Sequence, residues 1–234
     1  MIVAPFCILV PVFSVLLLTL IQALQLIQDL PVHTVSLCQS DSDAPFCYAV
    51  SSITDLKPHQ NFLATQVWPS ARAAAHFLRT HLQTSWTVCE LGCGPGLPSL
   101  AAAKWNCQKV IATDLDELAL ELVHAAAIMQ GLSQVTTERV DLLELYLPMA
   151  DLYILSDVFE SGAVAKGAAV LTQRALDAGA RVWVFAQTDR AQRDVYLAEV
   201  QRFQPQISWI SMENYNANSK LSLFDIDEQF VNYG

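Results

Sequence analysis

The sequence predicts an α/β protein with a mostly parallel sheet and helices on both faces. Three observations carry this. From Trp86 onward, short apolar runs alternate with longer segments of helical period. The runs are apolar throughout rather than on alternate residues, as strands buried on both sides require. A glycine-rich turn, Gly92-Cys93-Gly94-Pro95-Gly96, joins the first run to the helix after it.

The elements follow in order. Phe6 to Gln28 is almost wholly apolar and about 23 residues long, enough to span a bilayer as a helix. No Lys or Arg precedes Lys57, so the segment lacks the basic flank of a signal peptide and the charge that would orient an anchor. Residues 1–29 are therefore expected to be a signal anchor or transmembrane helix, with a buried apolar helix or a misplaced start as alternatives. Residues 30–50 hold Pro31, Ser36, Ser40, Asp41, Ser42, Asp43 and Pro45 without a strong period, and read as a linker. The globular part is expected over 51–234. In Val67-Trp68-Pro69-Ser70, Pro69 suits the first turn of a helix continued by Ala71 to Leu78.

Trp86–Leu91 is the first strand and Leu97–Trp105 its helix. Lys109–Thr113 is the second strand, ending at Asp114. Asp116 caps a helix to about Gln130, stopped by Gly131. Val135–Val140 is the third strand, ending at Asp141. Asp151–Leu155 is the fourth, ending at Ser156-Asp157. A helix from about Val164 to Ala178 closes at Gly179. Arg181–Ala186 is the fifth strand, and Asp189–Phe203 a helix. Ile207–Met212 and Leu221–Asp227 are late strands expected to pair, which brings the sheet to seven.

The net charge of −10 comes with no basic run, which argues against a nucleic-acid partner. A small cationic ligand or a basic protein segment is easier to accommodate. Cys7, Cys38, Cys47, Cys89, Cys93 and Cys107 are irregularly spaced, and no metal-ligand pattern is visible. Free packed thiols and no metal are expected, as in a reducing compartment. His76, His81 and His124 lie on helices with no nucleophile or metal cluster in view, and read as packed or exposed residues.

Ligands of such sheets bind beyond the carboxyl ends of the strands. Glu90 and Gly92, Asp114, Asp141 and Asp157 all fall there. A bare glycine turn brings backbone N–H groups and a helix N-terminus to a ligand. Asp114 follows the turn by about 20 residues, the spacing of a ribose-binding carboxylate. A dinucleotide turn has the pattern G-x-G-x-x-G, and here Leu97 stands where its third glycine belongs.

The run Glu90-Leu91-Gly92-Cys93-Gly94-Pro95-Gly96 instead resembles motif I of the class I S-adenosylmethionine-dependent methyltransferases. Trp68-Pro69-Ser70, Thr113-Asp114 and Ser156-Asp157-Val158-Phe159 extend the likeness. Over roughly Val67 to Asp189 the chain is similar to the seven-strand protein-lysine methyltransferases. These include the group that modifies the beta subunit of electron transfer flavoprotein, and the related group acting on chaperones and calmodulin. The resemblance implies a Rossmann-like sandwich, with S-adenosylmethionine lying over Gly92 to Gly96. It implies cofactor contacts from Trp68, Glu90, Gly92, Cys93, Gly94, Pro95, Gly96, Asp114, Leu115, Asp141, Leu142 and Ser156. Asp114 would take the ribose hydroxyls, and Asp141 and Leu142 would sit by the adenine. Asp157 and Glu160 are the candidate catalytic residues, with Phe159, Asp189 and Arg190 facing the substrate. The family usually has Tyr where this chain has Glu160.

A sulfonium methyl is already activated, so no metal is required. Asp157 is expected to orient a lysine amine and stabilise positive charge as the methyl moves. The expected protein is a monomeric methyltransferase acting on a lysine in a protein substrate. A small-molecule N-methyltransferase or an inactive cofactor-binding module are the alternatives. The expected location is a membrane anchor through 6–28 with the enzyme facing the cytoplasm or an organelle, or a mitochondrial or soluble cytoplasmic protein.

Overall fold

The computed structural model describes residues 32–40, 44–51, 63, 67–211 and 221–226. The apolar segment 6–28 lies outside them. Among the described residues, no helix is long and apolar enough to cross a membrane.

The stretch expected to be a linker contains an antiparallel pair instead. Strands β1 (Val32–Ser40) and β2 (Ala44–Ser51) run antiparallel, with Ser40 facing Ala44. Asp41, Ser42 and Asp43, among the residues that suggested a linker, lie outside the described residues. The arms are rich in Val, Thr, Phe and Tyr, which favour extended pairing.

The main body begins with α1 (Pro69–His81), which takes Pro69 at its first turn and Trp68 as N-cap. Then come β3 (Thr87–Leu91), α2 (Leu97–Lys104), β4 (Lys109–Asp114), α3 (Glu117–Met129), β5 (Val135–Arg139), β6 (Leu152–Ser156), α4 (Gly162–Asp177), β7 (Arg181–Gln187), α5 (Arg193–Val200), β8 (Ile210–Ser211) and β9 (Leu221–Ile226). Asp116 caps α3 by accepting from the Leu118 N–H, and Ser161 caps α4 by accepting from the Val164 N–H.

The sheet order is β5-β4-β3-β6-β7-β9-β8. The five strands β3 to β7 are parallel to their neighbours, and β9 and β8 close the edge antiparallel. The two late strands do pair. Their partner in the sheet is β7, reached through β9.

Side chains on the strands alternate between two cores. Val88, Val110, Ile154, Trp183 and Phe185 pack under α1, α2 and α3. Cys89, Leu91, Ile111, Tyr153, Leu155 and Val184 pack under α4 and α5. The sheet is thus buried on both faces, which is why its strands read as continuous apolar runs.

The chain runs outward from β3 to β5 on one side and from β6 to β7 on the other. The order reverses between β3 and β6, and ligands of open α/β sheets bind at such a reversal.

Candidate active site

The loops after β3 and β6 meet at the reversal. Gly92 and Gly96 have φ of +70° and +73°, in the left-handed region that favours glycine. Packing reinforces the requirement at both. A Cβ on Gly92 would lie 2.6 Å from Val158 Cγ1, and one on Gly96 2.4 Å from Val123 Cγ2. Gly94, with φ +49°, meets nothing nearer than 3.8 Å. Gly94 has room where a Cβ would stand; at Gly92 and Gly96 the missing Cβ lets the loop seat against Val158 and Val123.

Glu90 sits at the end of β3 and is buried. Its Oε2 accepts from the Ser99 N–H at 2.8 Å and the Ser99 hydroxyl at 2.5 Å. It therefore takes up the Ser99 N–H, one of the free donors in the first turn of α2 that would otherwise be open to a phosphate. Burial, with Asp114 adding to it, pushes the carboxyl up to about 8 against the pull of both Ser99 bonds.

Asp114 closes β4. Its Oδ2 accepts from the Gly94 N–H at 2.8 Å and its Oδ1 from the Asp116 N–H at 2.9 Å. These bonds fix the glycine turn to the end of the neighbouring strand. Each oxygen keeps a further acceptor site for a ligand. Burial raises this carboxyl too, against those hydrogen bonds.

Asp157 follows β6 with φ +56°, a strained setting for a residue with a side chain. The structure over-determines it. Its N–H donates to the Phe185 carbonyl, its Oδ1 accepts from the Gln187 N–H at 2.9 Å, and its Oδ2 accepts from the Ser70 hydroxyl. Its carbonyl accepts from the Arg190 guanidinium at 2.8 Å. Asp157 thereby ties α1, β6 and the loop after β7 together. Burial raises its carboxyl above the usual range. Arg190 also lies over the Trp68 ring, 5.2 Å from its centroid.

These groups line one cleft, open to solvent. Trp68, Glu90, Gly92, Cys93, Gly94, Pro95, Asp114, Leu115, Asp141, Leu142, Ser156, Asp157, Glu160 and Arg190 all reach it. Gly96 does not, since it is turned toward α3. Phe159, expected to face a substrate, is buried against Tyr196 and Trp209. The left-handed turn at Asp157 swings it into the core under α5. Asp189 is exposed and stands off the cleft wall.

Sequence reasoning missed Leu63, Val67, Ala71, Leu97, Asp116, Val140, Val158 and Val164 as lining residues. Apolar residues there carry no chemical signature. Asp116 was read only as a helix cap, yet its Oδ2 is buried with no partner among the described residues, as is Ser156 Oγ. Cys89, Cys93 and Cys107 are buried free thiols, and burial raises all three. No group of three His, Cys, Asp or Glu suited to a metal occurs among the described residues. His81 is exposed and stacks on Phe77, and His76 and His124 are exposed.

Comparisons with known proteins agree with this geometry. The family profile for ribosomal protein L11 methyltransferase (PrmA) matches residues 68–146, from Trp68 to the loop beyond β5. The ribosomal protein L11 methyltransferase of Thermotoga maritima is 38% identical over 58 residues, 25% of this chain and 22% of that protein. That of Tolumonas auensis is 32% identical over 112 residues, 48% of this chain and 35% of that protein. The chain thus spans about a fifth to a third of the length of these curated relatives. The crystal structure of a TehB-like SAM-dependent methyltransferase from Corynebacterium glutamicum superposes with a TM-score of 0.51 at 17% identity, covering 68% of this chain and 88% of that one. The fold is the Rossmann-like sandwich of the class I S-adenosylmethionine-dependent methyltransferases, with five parallel strands at its centre.

Proposed function

We propose that this protein is an S-adenosylmethionine-dependent methyltransferase whose acceptor is a lysine side chain of a protein, with 51–234 as the catalytic unit. One observation carries the choice of cofactor: the Ser99 N–H in the first turn of the helix after the glycine turn is already taken by buried Glu90. A phosphate would lose that donor, whereas a ribose bearing a positively charged group suits a wall lined by Asp114, Asp116, Asp141, Asp157 and Glu160. Asp116 Oδ2 and Ser156 Oγ, both buried without partners among the described residues, fit a polar ligand in the same cleft. The matched relatives are named for methylating a ribosomal protein, which supports a protein acceptor. The finer likeness, to enzymes of the electron transfer flavoprotein, chaperone and calmodulin groups, belongs to the same proposal.

In this assignment Asp114 holds the ribose hydroxyls, Asp141 and Leu142 flank the adenine, and Gly94 admits the cofactor to the loop backbone. Bound S-adenosylmethionine supplies an activated methyl group. The protein's own residues do the rest. Glu160, exposed at the cleft mouth, draws a cationic acceptor in. A lysine ammonium has no lone pair, so its proton leaves to solvent at that mouth before transfer. Asp157 orients the neutral amine through the acceptor sites its existing hydrogen bonds leave open. Trp68 and Arg190 cover one wall and limit water.

Incubation of the protein with a cell extract and labelled cofactor tests the acceptor class. Label in a protein band, at lysine after digestion, is the expected result. Label only in small molecules would replace the protein acceptor with a metabolite.

A further inference from the structure

We propose that Arg190 is the anchor for the carboxylate of the cofactor's amino-acid end, and so fixes which way the cofactor lies. This rests on the cofactor assignment above. Charge carries it. Among the described residues lining the cleft the acids are Glu90, Asp114, Asp116, Asp141, Asp157 and Glu160, and Arg190 is the single base. The cofactor carries one anionic group, its α-carboxylate, on a ligand otherwise positive or neutral. Among the described residues of the cleft, Arg190 is the one cationic partner that group can take.

Position agrees with charge. Along the carboxyl edge of the sheet, Asp141 follows β5, Asp114 follows β4, the glycine turn follows β3, Asp157 follows β6, and Arg190 comes after β7. From β4 to β7 is three strand spacings, roughly 14 Å. Adenosine at Asp114 and Asp141 puts the amino-acid end toward Asp157 and Arg190, with the glycine turn between.

Arg190 is also held ready. Its guanidinium is stacked over Trp68 and, among the described residues, gives one hydrogen bond, to the Asp157 carbonyl. A guanidinium has five N–H donors, and Arg190 Nε has no partner among the described residues. Immobilised on two sides, it has unused donors for a carboxylate and little side-chain entropy left to lose.

The test pairs a protein change with a ligand change. Calorimetric affinities are measured for S-adenosylmethionine and its decarboxylated analogue, on the wild-type protein and on Arg190→Gln and Arg190→Lys. A charge-assisted contact predicts that Arg190→Gln weakens S-adenosylmethionine about 10- to 100-fold more than the analogue. Arg190→Lys should restore part of that difference. A residue that only supports Trp68 or Asp157 would weaken both ligands alike, and equal losses would overturn the proposal. Failure of the folded wild-type protein to bind either ligand would overturn the cofactor assignment itself, and this proposal with it.

Discussion

The three glycines of the turn are not equivalent, and substitution should separate them. Gly96→Ala drives a methyl into Val123 and imposes a left-handed conformation on alanine. Overpacking alone costs about 1–3 kcal/mol, so its thermal melt should fall by several degrees. Gly94→Ala meets no such clash. It carries the backbone strain of about 1–2 kcal/mol and narrows the entrance for a ligand. Its cofactor affinity should fall at least 10-fold with a smaller loss of melting temperature. If Gly94→Ala binds cofactor as the wild type does, this loop does not admit the ligand. Glu90 gives a prediction of opposite sign to most carboxylates. Its folded value of about 8 lies above the ordinary value of 4.5. The folded state therefore holds a proton that the unfolded state has lost between these values. Stability falls as pH rises from about 4.5 to about 8 and levels off beyond. Asp114 and Asp157, also raised, act in the same sense. Urea titrations from pH 5 to pH 9 should show a shallower decline for Glu90→Gln than for the wild type. Parallel curves would mean that Glu90 is ionised in the fold at neutral pH.

At the scale of elements, the site is a joint between α1, β6 and β7, and Asp157 is its pin. Ser70→Ala removes a buried donor to that carboxylate and should destabilise by about 1–3 kcal/mol. Trp68, two residues away at the entrance of α1, should loosen with it, so cofactor affinity should drop alongside stability. Asp157→Asn keeps the shape and tests chemistry more cleanly. Transfer should fall at least 100-fold with cofactor affinity within a few-fold of wild type; unchanged transfer would remove Asp157 from the acceptor's path. Most of these elements were legible in the sequence. The run from β3 through α2 to β4 could be read residue by residue, because a buried strand, a glycine turn and an alanine-rich helix each have distinct signals. The acids at strand ends followed from the same reading. Other parts were not legible. β1 and β2 were hidden by the serines, aspartates and prolines in and between them, which read as a linker. The final helix was expected from Asp189, but α5 starts at Arg193 because Arg190 and Arg193 close successive turns on Gln187 and Arg190. Phe159 was assigned to the wrong side because no periodic pattern reports the positive φ at Asp157 that redirects it.

Across the whole molecule, the comparison with known proteins divides along the same line as the fold. The matched stretch, 68–146, covers α1 and β3 through β5, the half that would hold adenosine. It ends before β6, Asp157 and Glu160, where an acceptor would be selected. The cofactor and the acceptor are therefore separate questions with separate tests. Binding of S-adenosylmethionine to the native state should raise stability by about 2.7 kcal/mol at a concentration 100 times its dissociation constant. For a domain of this size that is a melting shift of roughly 5–10 °C.

The most direct test of the central claim is titration calorimetry of S-adenosylmethionine into the full chain, with folding confirmed by circular dichroism and a cooperative melt. One-to-one binding, lost or weakened at least 10-fold in Asp114→Ala, is the expected result. A folded protein that gives no binding, or whose binding is indifferent to Asp114, would contradict it.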